Sequence, residues 1–455
     1  MAFHPDDILP WLPDSGGQCH VAYSGGMDSH VLLHAMARLR DAGKFTGALT
    51  AIHVNHGLNP QADEWAEHCR RVCQALAVEL QVYEVDIAKG RLGPEQAARE
   101  ARYQVFTDTL KDSPGTILTA HHQDDQVETQ LYRMMRGTGI RGLAGIRPQR
   151  PLGAGQLVRP LLGATRSALQ AYAERKGLSW IEDDSNSDES LDRNYLRHQV
   201  VPVLGRRWPA YRTNLARLAG LAQEGQALLL EIGAEDLAGI ENGPCQLAIA
   251  PLLALSPARR RNAVRCWLLG LESALQLPAA NQNVMARVFD ELLPAAEDAE
   301  PVIHWQQDDR KASLRRFAGH IHLVLPAQEA LPAEPVMWHT AAPLHLPGAG
   351  TVSLEETASD GFLLPANGML EIRFRQGGES AKPAGRKTRP LKKILQDYQV
   401  PPWLRDSIPL FYRDDELLAV GDLFVTEHWR VRDRDAKGKK IHRIHWLRSD
   451  LHCGS

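Results

Sequence analysis

The run VAYSGGMDSH, Val21 to His30, constrains the fold more than any other part of the chain. An apolar, β-prone stretch, Cys19–Tyr23, enters Ser24-Gly25-Gly26. Just beyond, Ser29–Leu39 carries Val31, Leu32, Ala35, Met36 and Leu39 at helical spacing. Two glycines let the backbone turn sharply and point successive N–H groups inward, and the positive end of the helix dipole faces the same space. The loop is therefore an anion cradle, to which the Ser24 and Ser29 hydroxyls add donors. No lysine follows the glycines, which excludes the G-x-x-x-x-G-K-[ST] loop used for γ-phosphoryl transfer. A carboxylate at Asp28, beside such a cradle, suits the holding of Mg2+.

The same alternation continues. Ala48–Val54 is apolar and β-prone, Glu64–Leu76 is helical, Val78–Val85 alternates, and Thr116–Ala120 precedes a helix from about Asp124. Strands separated by helices predict βαβ units, so the fold class is α/β: a Rossmann-like, mostly parallel sheet with ligands at the carboxyl ends of its strands. From about Trp208 the pattern becomes helical, over Asn214–Ile232 and Pro257–Leu269, with no strand signal until Pro301–Trp305 and His320–Leu325. PAQEALPAEP, Pro326–Pro335, reads as a linker. The C-terminal part is α+β, with the alternating pieces TVSLEE and LEIRFR and one helix over Leu391–Tyr398. The expected domains are residues 1–215, 216–325 and 336–455.

The 455 residues carry 52 Lys+Arg against 55 Asp+Glu, a net charge of −3 that hides an uneven distribution. Between Thr129 and Ala173 stand seven arginines (Arg133, Arg136, Arg141, Arg147, Arg150, Arg159 and Arg166) and no carboxylate. Glu371–Ser449 holds 18 Lys+Arg against 11 Asp+Glu, whereas the middle leans acidic. Two basic zones around an acidic middle predict contact with an extended polyanion at separate places. No stretch approaches the roughly 18 uncharged apolar residues needed to span a bilayer. The N-terminus has acids and prolines where a signal peptide would be basic and then apolar, so a cytoplasmic protein is expected. The six cysteines contain no C-x-x-C pair, which argues against cluster or redox chemistry.

A second constellation is AHHQDDQVE, Ala120–Glu128, where His121, His122, Asp124, Asp125 and Glu128 crowd after a strand. Asp124 or Asp125 can cap the helix, and Asp125 and Glu128 share one helical face. Such a set can bind a divalent ion or, as paired carboxylates, hold a cationic amine.

These residues carry a family resemblance. S-G-G-x-D-S after a strand resembles the PP-loop of the N-type ATP pyrophosphatases, in which the loop grips the pyrophosphate of ATP while the α-phosphate is attacked. AHHQDDQVETQLYRMMRGTGIRGLAGI resembles, more narrowly, the tRNA(Ile)-lysidine synthetase family. So do HVNHGL (His53–Leu58), PEQAAREARY (Pro94–Tyr103), DDSNSDESLDRNYLRHQVVPVL (Asp183–Leu204), RFRQGGE (Arg373–Glu379) and LKKILQDYQVPPWLRDSIPL (Leu391–Leu410).

The resemblance implies an ATP-dependent ligase acting on tRNA(Ile) with a CAU anticodon. The wobble cytidine would be adenylated at its C2 oxygen, and free L-lysine would then displace AMP. It implies that Ser24, Gly25, Gly26, Met27, Asp28 and Ser29 bind ATP, with His53 and Val54 near the adenine. Asp28 and Asp125 would serve Mg2+ or orient the reactants. Lysine, whose amine pKa is roughly 10.4, would be held by Asp124, Asp125 and Glu128. Arg99 or Arg102 would neutralise charge at the α-phosphate, Arg102 being equally placed to pair with Glu95 or Glu100. Arg133, Arg136 and Arg141, with Arg193, Asn194 and Arg197, would contact the RNA near the anticodon. Arg386, Lys387, Arg389, Lys392 and Lys393 would grip its acceptor end. Trp403 is expected to be a packed anchor. Whether the chain forms a homodimer stays open. The competing readings are a tRNA thiolase built on the same loop, or a tRNA-binding module without catalysis.

Overall fold

The computed structural model describes residues 2–13, 16–57, 59–86, 94–183, 187–243, 245–296, 299–307, 309–327, 329–357, 360–432 and 440–448. Leu58 and residues 184–186, within two of the segments quoted above, lie outside that set, as does Cys453.

Chain order is β1 (Cys19–Ala22), α1 (Met27–Asp41), β2 (Leu49–Asn55), α2 (Ala62–Ala75), β3 (Glu79–Glu84), α3 (Pro94–Asp112), β4 (Thr116–Leu118) and α4 (Gln123–Met135). Then come α5 (Ile140–Leu143), the hairpin β5 (Gln149–Leu152) and β6 (Gly155–Val158), and α6 (Arg166–Arg175). After α7 (Asp192–Tyr195), a π-helical turn Leu196–Val200 leads into α8 (Val201–Arg207) and the long α9 (Tyr211–Leu237). The sheet order is β3-β2-β1-β4-β6-β5, every pair parallel except β5 with β6. The predicted α/β sheet is present, with each strand within about two residues of its expected ends. The hairpin was not foreseen, because its PLGAGQL turn region lacks an apolar run long enough to read as a strand pair.

Strands β1 and β4 are the central pair, both buried. Apolar side chains of β1 and α1 (Cys19, Val21, Val31, Leu32, Ala35, Met36, Leu39) share one core with Leu169, Tyr172 and Ala173 of α6. This packing clamps the loop between β1 and α1. Gly25 in that loop has φ +87°, and a Cβ there would lie 2.6 Å from Ile181 Cδ1. The Gly25 carbonyl also accepts the Ile181 N–H (3.0 Å).

The chain divides into two compact units, Met1–Leu228 and Leu229–Ser455. The second contains two separate cores. One gathers Leu237, Trp267, Leu268 and Val288 with Ile303, Leu314 and Ile321; the other gathers Trp338, Phe362, Ile394, Phe411 and Trp446. The first surrounds a four-stranded sheet that includes Gln246–Ala248 and Arg310–Phe317, so strand structure begins well before Pro301–Trp305, correcting the sequence expectation. Both missed strands lack a clear apolar alternation: one is three residues long, the other, RKASLRRF, is strongly basic. Trp403 is an anchor as expected. Its ring lies 5.9 Å from that of Phe317 and 5.2 Å from that of His322, with the Arg315 guanidinium 5.3 Å away.

The two adjacent glycines make unequal demands. Gly26 has φ −73°, and a Cβ there would stand in ordinary contact with Ser24 Oγ at 3.5 Å. Gly25→Ala is expected to lower stability by roughly 1–3 kcal/mol and Gly26→Ala by less than about 1 kcal/mol. Denaturant unfolding of the two variants checks this, and equal losses would contradict it.

Candidate active site

The Gly loop closes on itself through two hydroxyls. Ser24 Oγ and Ser29 Oγ are 3.0 Å apart, Ser29 Oγ donates to the Gly26 carbonyl (2.9 Å) and accepts the Ser24 N–H (3.2 Å). Gly26 caps α1 without any side-chain hydrogen bond, leaving first-turn amides of a 15-residue helix for an external anion. His53 and Val54 stand at the carboxyl end of β2, where His53 Nδ1 donates to the Tyr23 carbonyl (2.9 Å).

Asp28, in the first turn of α1, faces α4 through an unforeseen intermediary. His122 Nε2 lies 3.5 Å from Asp28 Oδ2. The His122 ring also caps α4: its Nδ1 accepts the Asp125 N–H (3.3 Å), while Asp125 Oδ2 accepts the His122 N–H (2.9 Å). Burial disfavours the imidazolium. The hydrogen bond to Asp28 and the charges of Asp125, Asp28 and Asp124 outweigh it, so the His122 pKa lies above the ordinary 6.5. Its neighbour His121 is driven the opposite way, to about 3, by burial and by Arg159, Arg99 and Arg102, and stays neutral. The H-x-x-D spacing of a capping box was the signal for His122 in the sequence.

The carboxylates of α4 divide. Asp124 is engaged at both oxygens, accepting from Arg212 Nε (2.6 Å) and from the Arg166 N–H (2.8 Å). It is therefore committed to holding α9 and α6 against α4. Glu128, buried, forms a two-point pair with Arg197: Nε to Oε1 at 2.7 Å and Nη2 to Oε2 at 2.8 Å. The same guanidinium lies 3.8 Å from Asp125 Oδ1. Asp28, His122, Asp125, Arg197 and Glu128 thus form one continuous polar chain from the Gly loop along α4. Three carboxylates against one permanent cation leave it net negative.

Of the residues expected to meet RNA, Arg136, Arg141 and Arg193 are exposed, and the Arg136 and Arg193 guanidinium carbons lie 5.2 and 6.0 Å from the Tyr132 ring. Arg133 instead donates to the Gly142 and Gly145 carbonyls, and the buried Asn194 donates to the Asp188 carbonyl (2.9 Å). Arg99 donates to Tyr103 Oη (3.4 Å), and Arg102 is exposed on the same helix. In the second unit, Arg386, Lys387 and Arg389 line one shallow cavity with Pro383, Ile394 and Asp397, and Arg389 pairs with Asp397 (2.5 Å). Lys392 and Lys393 are exposed on the adjoining helix.

A glycine cradle at the carboxyl end of a central parallel strand, without a P-loop lysine, defines a PP-loop nucleotide-using domain, and residues 8–204 match the PP-loop domain family. Residues 247–322 match the TilS substrate binding domain and residues 370–446 the TilS substrate C-terminal domain. The chain is 43% identical over 438 residues to the tRNA(Ile)-lysidine synthase of Pseudomonas syringae pv. tomato, covering 93% of this chain and 94% of that protein. It is 40% identical over 453 residues to that of Pseudomonas fluorescens (98% and 96% covered) and 39% over 444 residues to that of Coxiella burnetii (95% of each). The chain belongs to the tRNA(Ile)-lysidine synthase family.

The commitment of Asp124 has a pH signature. Burial alone would raise its pKa, but the Arg166 amide and the Arg212 guanidinium hold it below the ordinary 3.8. Its stabilising contribution is therefore complete above pH 3.8 and lost as pH falls through the depressed value. Asp124→Asn is expected to cost roughly 1–3 kcal/mol at pH 7, with the gap to wild type closing in acid. Denaturant midpoints measured from pH 7 downward check it; a gap that widens in acid would contradict it.

Proposed function

We propose that the chain forms lysidine on tRNA(Ile) in two steps at the Gly loop and α4. In the first, the C2 oxygen of the wobble cytidine in a CAU anticodon attacks the α-phosphate of ATP, and pyrophosphate leaves. In the second, the ε-amine of free lysine attacks C2, and AMP leaves with the former C2 oxygen. The observation that carries this reading is the unbroken chain Asp28–His122–Asp125–Arg197–Glu128, which joins a pyrophosphate cradle to a net-negative cluster suited to an ammonium group.

Ser24–Ser29 and the amide end of α1 grip the pyrophosphate, with His53 and Val54 beside the adenine. Asp125 Oδ1 has no partner closer than Arg197 at 3.8 Å among the described residues, so it can receive an N–H of the incoming ammonium. Glu128, locked by Arg197, supplies fixed negative charge behind it. Lysine must lose a proton to become a nucleophile, and the carboxylate of Asp125 is placed to take it. Of the two α3 arginines considered for the α-phosphate, Arg102 offsets the charge developing there, Arg99 being engaged with Tyr103.

Asp28 Oδ1 is buried without a hydrogen-bond partner, an orphaned hard oxygen beside the cradle. It fits Mg2+, which is commonly held by one or two carboxylates plus substrate phosphates; Asp28 and Asp125 would hold it. When bound, Mg2+ neutralises phosphate charge.

The thiolase reading finds no support in the cysteines. Cys19, Cys69 and Cys73 are buried, and burial pushes each thiol up to about 12, far from a reactive thiolate. The catalytic reading is tested with purified protein, ATP, Mg2+ and labelled lysine, comparing unmodified CAU-anticodon tRNA(Ile) with a CAU methionine tRNA. Pyrophosphate release and lysine incorporation are expected with the isoleucine tRNA alone. Release without incorporation, or no release with either tRNA, would contradict the proposal.

A further inference from the structure

A cluster of positive charge lies outside the Gly loop. Tyr103 of α3 is surrounded by arginines from three elements: Arg99 of α3, Arg150 of β5, and Arg159 just after β6. The guanidinium carbons of Arg99 and Arg150 each lie 5.0 Å from the Tyr103 ring centroid. Arg99 and Arg159 both donate to Tyr103 Oη at 3.4 Å. The other acceptors of the trio are backbone carbonyls: Arg147 for Arg159 (2.7 Å) and Pro151 for Arg150 (3.3 Å).

Among the described residues, none of Arg99, Arg150 and Arg159 pairs with a carboxylate. Arg159 is 5% exposed, and its Nε is buried with no partner. A buried guanidinium answered only by carbonyls and a phenol is expensive, because neutral acceptors replace hydration without cancelling the charge. Two further arginines nearby add to that cost. The arrangement makes physical sense if the missing partner is an anion with several acceptor oxygens, the ligand that planar guanidinium groups match best. Arg99 is exposed and Arg159 buried, so the cluster runs from the surface inward. The neutral His121 faces the same arginines and adds no competing charge.

We infer that Arg99, Arg150 and Arg159, gathered around Tyr103, form a phosphate-binding site separate from the Gly loop. Its ligand is a phosphate group of the kind found in an RNA backbone or a nucleotide. Tyr103 is the positioning residue, its hydroxyl fixing two guanidinium groups at once. The inference deepens the lysidine reading and rests on it only for the identity of the RNA.

The test uses the full chain and two separate titrations, ATP without RNA and unmodified tRNA(Ile) without ATP over a range of salt. Arg150→Met is expected to weaken one of the two by about tenfold, with Arg150→Lys recovering part of the loss. If the phosphate belongs to RNA, the slope of log affinity against log salt also falls by about 1 while ATP binding is unchanged. If it belongs to the nucleotide, ATP binding weakens and the RNA slope stays the same. Tyr103→Phe, which keeps the ring and removes the acceptor, should weaken the same titration by a smaller factor, measured at a temperature where circular dichroism shows the variant fully folded. Should Arg150→Met fail to fold, Arg99→Met on the exposed rim gives the same readouts. Unchanged affinity in both titrations would overturn the inference. A wild-type chain that bound no tRNA(Ile) would instead strike the lysidine reading, and the ATP titration would still decide the site.

Discussion

The contact between His122 and Asp28 is the one on which the arrangement of the active site depends. One nitrogen of the ring faces the carboxylate at the start of α1, and the other caps α4. A single side chain thereby sets the distance between the pyrophosphate cradle and the carboxylate-bearing helix. Its position follows from the sheet: β1 and β4 are parallel neighbours, so the loops leaving their carboxyl ends emerge side by side. The strands bring the loops together, and the imidazole fixes their register.

Concentrating Asp28, Asp124, Asp125 and Glu128 near two helix N-termini costs electrostatic free energy unless cations or amides answer the charges. The structure answers them selectively. Asp124 is fully satisfied by Arg212 and an amide, and Glu128 by Arg197, whereas Asp28 Oδ1 and Asp125 Oδ1 keep unmet capacity. That residue of unanswered negative charge is where a cationic substrate group or Mg2+ gains most. Around Tyr103 the signs are reversed: among the described residues its arginines stand without carboxylates, and a phosphate is the natural complement. Both clusters belong to the first compact unit.

Much of this was legible in the sequence. Apolar runs and a glycine turn located β1, α1, β2 and β4 closely, because strands buried on both faces of a parallel sheet are nearly continuously apolar, and alternation located the edge strand β3. The Ser24–Ser29 loop and the Asp124–Glu128 cluster were likewise visible as local strings. Pairings between distant residues were not. Nothing in the string says that Arg197 meets Glu128 across 69 positions, or Arg212 meets Asp124 across 88. Without those partners, Asp124 and Glu128 looked equivalent, and Arg133, Asn194 and Arg197 looked like surface residues available to RNA. The basic strand Arg310–Phe317 escaped for a related reason: its inward residues, Ala312 and Leu314, are too few and too small to stand out among four arginines and lysines.

The division of labour between cradle and carboxylates is tested most directly with Glu128→Gln, α-phosphate-labelled ATP and unmodified tRNA(Ile). The variant keeps the Gly loop, Asp28 and His122, removes the charge behind the lysine position and weakens its two-point pair with Arg197. The account predicts that it still releases pyrophosphate and accumulates labelled, adenylated tRNA, while transfer of lysine falls by roughly a hundredfold. Equal loss of adenylation and lysine transfer, or lysine transfer at the wild-type rate, would contradict it.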